Sequence, residues 1–442
     1  MRRIFYLALL LPLVLGLVSG CALFRPPLQS LILNPGSGAV LTEVTVLGNG
    51  FGPSQGASVI TFGGVPASVV SWSDTSITAK VPVIATPNGE PNTIIVSVAV
   101  DGASIGTALF TVMRGVLFVS ERDANKEIYL MNPDGTNQAN LTNHPESDDY
   151  PAWAPDGTKI AFHTSRNGQP DVYVMNADGT GATNLTPLSE RDSSPVWSPN
   201  GEEIAFLSGR DEDLEIYVIR ADGTGERNLT NYIGEDGWPS WSPDGSKIAF
   251  HSKRAPSIHI EGTRPRLELT TPNYDVFVID ADGSDLVRLT EDSATDWLPS
   301  WSPDGSKIVF QSNRDGVGEV FVMNANGSDE RNITNHPAMD GWPTWSPDGS
   351  KIAFQSQRDG NTEIYMMNPD GTGLTRLTSN AEWDAGPSWS PDGTRIVFET
   401  ARHGSFEIYV MDADGANQTR LTVDYYPDRY PVWTETRWIW GF

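Results

Sequence analysis

Apolar and polar residues alternate along this chain in short runs. Val44-Thr45-Val46-Leu47, Val59-Ile60-Thr61-Phe62 and Ile94-Ile95-Val96-Ser97-Val98 are examples, and Gly, Pro, Asn or Asp breaks each one. A period of two cut by turn residues predicts β-strands, because successive side chains of a strand point to opposite faces. Past the N-terminus no long stretch carries the helical period. Residues 30–113 therefore read as a small β-sandwich.

A longer unit repeats over residues 114–435. Trp153-Ala154-Pro155-Asp156-Gly157 recurs in variant form at Trp197, Trp241, Trp301, Trp345 and Trp389, and in truncated form at Trp433. The spacing is 44 residues, except for 60 between Trp241 and Trp301, so one unit carries a 16-residue insertion, roughly Ala255 to Asn273. Each unit holds four strand-like pieces joined by Asp-Gly or Asn-Gly turns, which accept positive φ readily. Four antiparallel strands at this period describe a propeller blade. The second strand occurs seven times, at Val116, Ile160, Ile204, Ile248, Ile308, Ile352 and Ile396, and so does the Pro-x-Trp strand. The first unit lacks its own Pro-x-Trp strand, so Pro431-Val432-Trp433 is expected to complete it and close the ring. The fold class expected is all-β: a sandwich, then a seven-bladed β-propeller closed by its C-terminal strand.

Two resemblances sharpen this. Asn34-Pro35-Gly36-Ser37-Gly38, Gly48-Asn49-Gly50-Phe51-Gly52, Phe62-Gly63-Gly64-Val65-Pro66-Ala67 and Val81-Pro82 resemble the IPT/TIG family of immunoglobulin-like domains, which act as spacers or binding modules, so the resemblance implies an immunoglobulin-like sandwich over 30–113. Gly52-Pro53-Ser54-Gln55-Gly56 fits the G-x-S-x-G pattern of serine hydrolases but lacks the strand-to-helix elbow, and is set aside. The Trp-[Ser/Ala]-Pro-[Asp/Asn]-Gly, Ile-[Ala/Val]-Phe and Leu-Thr signatures resemble the TolB-type propeller repeat. That family includes periplasmic scaffold proteins and the propeller domains of some peptidases.

Residues 1–20 read as an export signal, with Arg2 and Arg3 before an apolar run from Ile4 to Val18. Val18-Ser19-Gly20-Cys21 resembles the lipobox of bacterial lipoproteins, and Cys21 is the sole cysteine. Cleavage would leave Cys21 to carry acyl chains, residues 21–29 as a tether and 436–442 as a tail. The resemblance implies export and anchoring in the cell envelope: the outer membrane of a Gram-negative cell, otherwise the outer face of the plasma membrane.

Charge narrows the partners. With 30 Lys and Arg against 56 Asp and Glu, the net charge of -26 repels phosphate backbones and anionic headgroups, which sets nucleic acid aside. Strand order puts the turns after the first and third strands of every blade on one face. The Arg-containing loops and the links between blades lie on the other. That second face carries Asp148, Asp192, Asp236, Asp296, Asp340, Asp384 and Asp428, three residues before each Pro. Four residues after each second-strand Phe it carries Arg122, Arg166, Arg210, Arg254, Arg314, Arg358 and Arg402. Such regular recurrence points to structural Asp-Arg clasps. An Asp ring holding a divalent cation is the alternative, and no other cofactor is expected.

Function is sought where the repeat breaks. Tyr150, Trp238, Trp297, Trp342, Trp383 and Tyr430 gather on the second face, and the insertion adds His259, Arg264 and Arg266. Aromatic rings there can stack on sugars or anchor a peptide. His163 and His251 hold equivalent second-strand positions, where the other units have Val119, Leu207, Gln311, Gln355 and Glu399; this is a weak metal site. With no catalytic constellation in view, the reading is a non-enzymatic, lipid-anchored protein that binds an envelope protein, peptide or glycan. The alternatives are a propeller enzyme acting on polysaccharide and a purely architectural envelope part.

Overall fold

The computed structural model describes residues 28–86, 91–187, 191–210, 213–254, 260–261, 264–265 and 273–433. Cys21 with its lipobox, His259 and Arg266 lie outside them, and of the insertion only Asn273 and the short pairing of Ile260–Glu261 with Arg264–Pro265 are described.

The sandwich faces two sheets together. Residues Asn92–Val100, Ala103–Val112 and Val59–Phe62 form most of one sheet; Ile32–Asn34, Glu43–Leu47, Ser76–Lys80 and Ser68–Trp72 form the other. The alternation read from the sequence sorts directly into inside and outside: Val44, Val46, Ile60, Phe62, Val96 and Val98 are buried while their neighbours are not. Phe62 and Phe110 meet edge to face across the core, with centroids 5.3 Å apart.

Among the described residues, seven four-stranded antiparallel sheets follow. Blade 1 joins Val116–Ser120, Glu127–Met131 and Ala139–Asn140 to the C-terminal strand Asp428–Val432, which pairs with Val116–Ser120. The inner strands of blades 2 to 7 are Asp148–Trp153, Asp192–Trp197, Asp236–Trp241, Asp296–Trp301, Asp340–Trp345 and Asp384–Trp389. Each neighbours the next, and Asp428–Val432 closes the cycle between blades 7 and 2. No inner strand is left as a free end of the ring.

The alternation is lost in the second and third strands because both faces of a blade pack on a neighbour. All five residues of Val116–Ser120 are buried, as are Ile160, Ala161 and Phe162. Four of the recurrent Trp pin one blade to the one before it. Trp197, Trp241, Trp301 and Trp345 donate Nε1–H to the inner-strand carbonyls of Ala152, Val196, Ser240 and Ser300, at 3.1 to 3.3 Å.

The sandwich docks on the first face, at blades 1 and 2. Asn132 Oδ1 accepts from Ala39 N–H (3.0 Å) and the Thr42 hydroxyl (2.8 Å), and Thr86 N–H donates to Asp156 O (2.7 Å). Arg114 Nη2 donates to Pro155 O at 2.6 Å while its guanidinium stacks on Trp153. A Cβ on Gly157 would lie 2.4 Å from Thr86 Oγ1, so this turn glycine also makes room for the sandwich.

Candidate functional site

Seven clasps build the second face. Each ring Asp has a fully buried side chain and meets the Arg of its own blade at 2.6 to 3.1 Å: Asp148 with Arg166, Asp192 with Arg210, Asp236 with Arg254, Asp296 with Arg314, Asp340 with Arg358, Asp384 with Arg402, and Asp428 with Arg122. The Arg plane also stacks on strand aromatics; Arg210 lies 4.3 Å from the Tyr217 centroid and Arg314 lies 4.5 Å from that of Phe321. Five of these Arg donate Nε–H to a serine, such as Ser252 for Arg254. Arg166 and Arg402 instead turn both Nε and Nη2 onto the Asp. Burial pushes the Asp428 carboxyl up to about 6 against the opposing pull of Arg122.

A second ring of buried carboxylates went unread in the sequence. Glu127, Asp171, Glu215, Asp275, Glu319, Glu363 and Glu407 open the third strands. They tie down the links between blades: Glu127, Glu215, Glu319 and Glu363 accept from the backbone of His144, Tyr232, His336 and Asn380. An acid before every Ile-Tyr, Val-Tyr or Val-Phe step was the available signal.

Next to the ring Asp, the inner strand bulges. The residue before each Pro has positive φ: Tyr150 (53°), Ser194 (55°), Trp238 (51°), Leu298 (61°), Trp342 (51°), Gly386 (61°) and Tyr430 (59°). Register with the second strand shifts at the same place in all seven blades. A left-handed conformation costs a side-chain-bearing residue about 1 to 2 kcal/mol. Five bulky side chains are nevertheless held this way, in a crown around the channel mouth.

The crown brings together four of the aromatics singled out from the sequence. Tyr150 and Tyr430, from adjacent blades, stack with centroids 6.4 Å apart and planes at 21°. Tyr150 also covers His163 (4.8 Å), and Trp238 lies flat on His251 (5.3 Å, 25°). Trp342 is the fourth. Trp297 stands one place earlier in its strand and half-buried, and Trp383 is apart from the crown on a link between blades, 52% exposed. Tyr425 and Tyr426 join it on the outer rim, Tyr425 at 98% exposure; the sequence reading passed over both.

Beneath the crown lie the second-strand positions that vary. His251 is buried, its ionisation pushed down to about 3 by desolvation; its Nδ1 faces Leu298 N–H of the next blade at 3.5 Å. His163 Nδ1 and both amide atoms of Gln311 are buried without a hydrogen-bond partner. Glu399 Oε2 accepts from Tyr430 N–H at 3.1 Å and Oε1 has no partner. Desolvation pushes this carboxyl up to about 7, with the Tyr430 N–H and Arg429 opposing.

His251 makes a pH prediction. Its folded value lies below the ordinary 6.5, so the neutral ring favours folding and that contribution is lost as pH falls from 6.5 towards 3. Between pH 7.5 and 5 the loss is about 2 kcal/mol. His251→Gln, the residue blades 5 and 6 use here, is expected to flatten this part of the stability profile. Equal acid sensitivity in urea unfolding of both proteins would remove the assignment.

Among the described residues, Asp292, Asp296 and Glu330 bring carboxylate oxygens within 4.8 Å of one another. Arg314 reaches all three, at 2.7, 2.9 and 2.5 Å, and takes the place a cation would need.

The family described as the TolB beta propeller domain matches residues 90–206, 188–260, 255–337 and 329–437, and the IPT/TIG domain matches 29–112. No curated protein matches in sequence. Among solved structures, TolB from Acinetobacter baumannii is 18% identical over 86% of this chain and 84% of its own, with a TM-score of 0.47. An oligogalacturonate lyase from Vibrio parahaemolyticus is 18% identical over 69% and 83%, at 0.52. A puromycin-hydrolyzing peptidase from Mycobacterium tuberculosis is 15% identical over 75% and 52%, at 0.54. The fold is thus shared with a lyase and a peptidase, which overturns the expectation that this chain is not an enzyme. A propeller supplies a mouth, and the residues set on it decide the chemistry.

Proposed function

Since the chain belongs to the TolB β-propeller family and carries an IPT/TIG domain ahead of its propeller, we propose that it holds a cell-envelope ligand, a protein, peptide or glycan, at the channel mouth. The observation that carries this reading is the crown. Seven blades share one bulge and one φ, yet the side chains they present range from Gly to Trp. Structure alone accounts for the shared backbone; a ligand accounts for the differing side chains. The sandwich docks on the opposite face, away from the mouth. The lipobox around Cys21 supports tethering in the envelope, where such a ligand would be met.

Immobilised mature protein is expected to retain envelope components that Trp342→Ala and Tyr150→Ala retain at least about tenfold less well, a difference of 1.4 kcal/mol. Identical capture by all three proteins would reject the mouth. Cleavage of a bound glycan is a second reading, favoured by the Glu399 carboxyl, whose value near 7 suits proton transfer at neutral pH. Appearance of new glycan ends with wild type but not with Glu399→Gln would establish it.

A further inference from the structure

The crown is not evenly filled. Going round the ring, blades 1 and 2 present Tyr430 and Tyr150, blade 3 presents Ser194, blades 4 to 6 present Trp238, Leu298 and Trp342, and blade 7 presents Gly386. All seven share one bulge geometry, so what differs from blade to blade is the side chain: the Tyr and Trp rings are partly exposed, Leu298 is buried, and Ser194 and Gly386 offer little or nothing. In a ring of seven, blades 3 and 7 stand nearly opposite each other. Two aromatic walls therefore face one another across the mouth, a tyrosine pair on one side and Trp238 and Trp342 on the other, with Leu298 buried between the two tryptophans.

Resting on the mouth as the binding site, we propose that this cleft holds an uncharged linear glycan, lying across the propeller from blade 3 to blade 7. Open ends at both gaps let a polymer pass through, where a closed pocket would admit only a chain terminus. Flat aromatic faces on opposite walls suit the two faces of a pyranose ring. A peptide added as a strand would need backbone donors from the inner edge. Every inner strand has Pro directly after the bulge, and so lacks a ladder N–H at that step. Polyanions are disfavoured by the net charge of -26, and two cations near the mouth among the described residues are engaged: Lys126 by Asp149 at 2.6 Å, and Arg429 over the Phe406 ring at 3.7 Å. The polar side chains under the crown suit an uncharged ligand: His163 and Gln311 carry buried polar atoms, and desolvation favours the protonated form of Glu399 at the equivalent place.

The test fills the gaps. Ser194→Trp and Gly386→Trp put at blades 3 and 7 the side chain that blades 4 and 6 already carry at the same φ. A Cβ on Gly386 meets Glu399 Cγ at an ordinary 3.8 Å. Thermal unfolding identifies which of the two plugs folds as wild type, and that one is used. Calorimetry with the dimer, tetramer and hexamer of N-acetylglucosamine and of β-1,4-glucose is expected to show affinity rising with length in wild type. The plug is expected to weaken the hexamer by about tenfold or more and leave the dimer unchanged. Absence of binding by both hexamers, equal hexamer affinity in the plugged protein, or stronger binding of a galacturonate hexamer would overturn the glycan cleft. So would an extended peptide that binds in a plug-sensitive way where no glycan does. A ligand lost in Trp342→Ala but indifferent to the plugs would keep the mouth and remove the cleft.

Discussion

Arg254→Ala is expected to destabilise the propeller by about 3 to 5 kcal/mol, the range for stranding one partner of a buried ion pair. Arg254 Nη2 meets Asp236 Oδ2 at 3.0 Å and its Nε–H donates to Ser252 at 2.8 Å. Its guanidinium lies 5.5 Å from both the Phe250 and Phe277 centroids and 5.0 Å from that of Tyr232. The Asp236 side chain is fully buried, so losing the cation leaves a carboxylate inside the protein without its charged partner. Burial already raises its ionisation above the ordinary carboxylate value, and Arg254 is the main force holding it down. Without Arg254 the folded value climbs further, so the variant should bind a proton on folding, and its deficit should shrink from pH 7 to pH 4. Replacing both partners, as Asp236→Ala with Arg254→Met, is expected to cost less than Arg254→Ala alone, because no charge is then stranded. Denaturation curves at the two pH values check both points; a loss below about 1 kcal/mol that ignores pH would mean the clasp is ornamental.

The clasps were legible because repetition exposes any residue that every blade needs at one offset. The closure of the ring by Pro431-Val432-Trp433 was legible for the same reason: one blade lacked a strand and the chain ended with a spare. The bulge was not. A residue before Pro inside an apolar strand reads as ordinary alternation, and φ is invisible where Tyr150 and Trp238 stand. Gly386 at the equivalent place was the only hint of a left-handed backbone, and one glycine among six larger residues reads as drift. The buried acids of the third strands were missed for a different reason. An acid flanking an apolar run usually stays in solvent, and only the packing of link backbones over Glu127 and Glu363 reverses that expectation. Gly157 looked like every other turn glycine until the sandwich was seen to rest on it.

Glu399→Gln is expected to stabilise the protein by about 3 kcal/mol at pH 8, with no gain below pH 4.5. The carboxyl belongs to blade 7 but grips the backbone of Tyr430 in the C-terminal strand, so it stands at the seam where the ring closes. Its folded value of about 7 is above the ordinary 4.5, which makes the protonated form the one that folding prefers. Stability from this group is therefore full below 4.5 and falls as pH rises through 7. Glutamine keeps an oxygen to accept from Tyr430 N–H and cannot ionise. Blades 5 and 6 already accommodate it at the same place as Gln311 and Gln355, so the fold itself shows that the shape fits. Stability of wild type against pH should thus descend between 4.5 and 8 while that of the variant stays nearly level. Parallel profiles would mean that Glu399 remains ionised in the folded protein and finds at Oε1 a partner as good as water. The proton held at this seam would then be lost to the glycan-cleaving reading as well, since a carboxylate ionised at pH 7 has no proton to give.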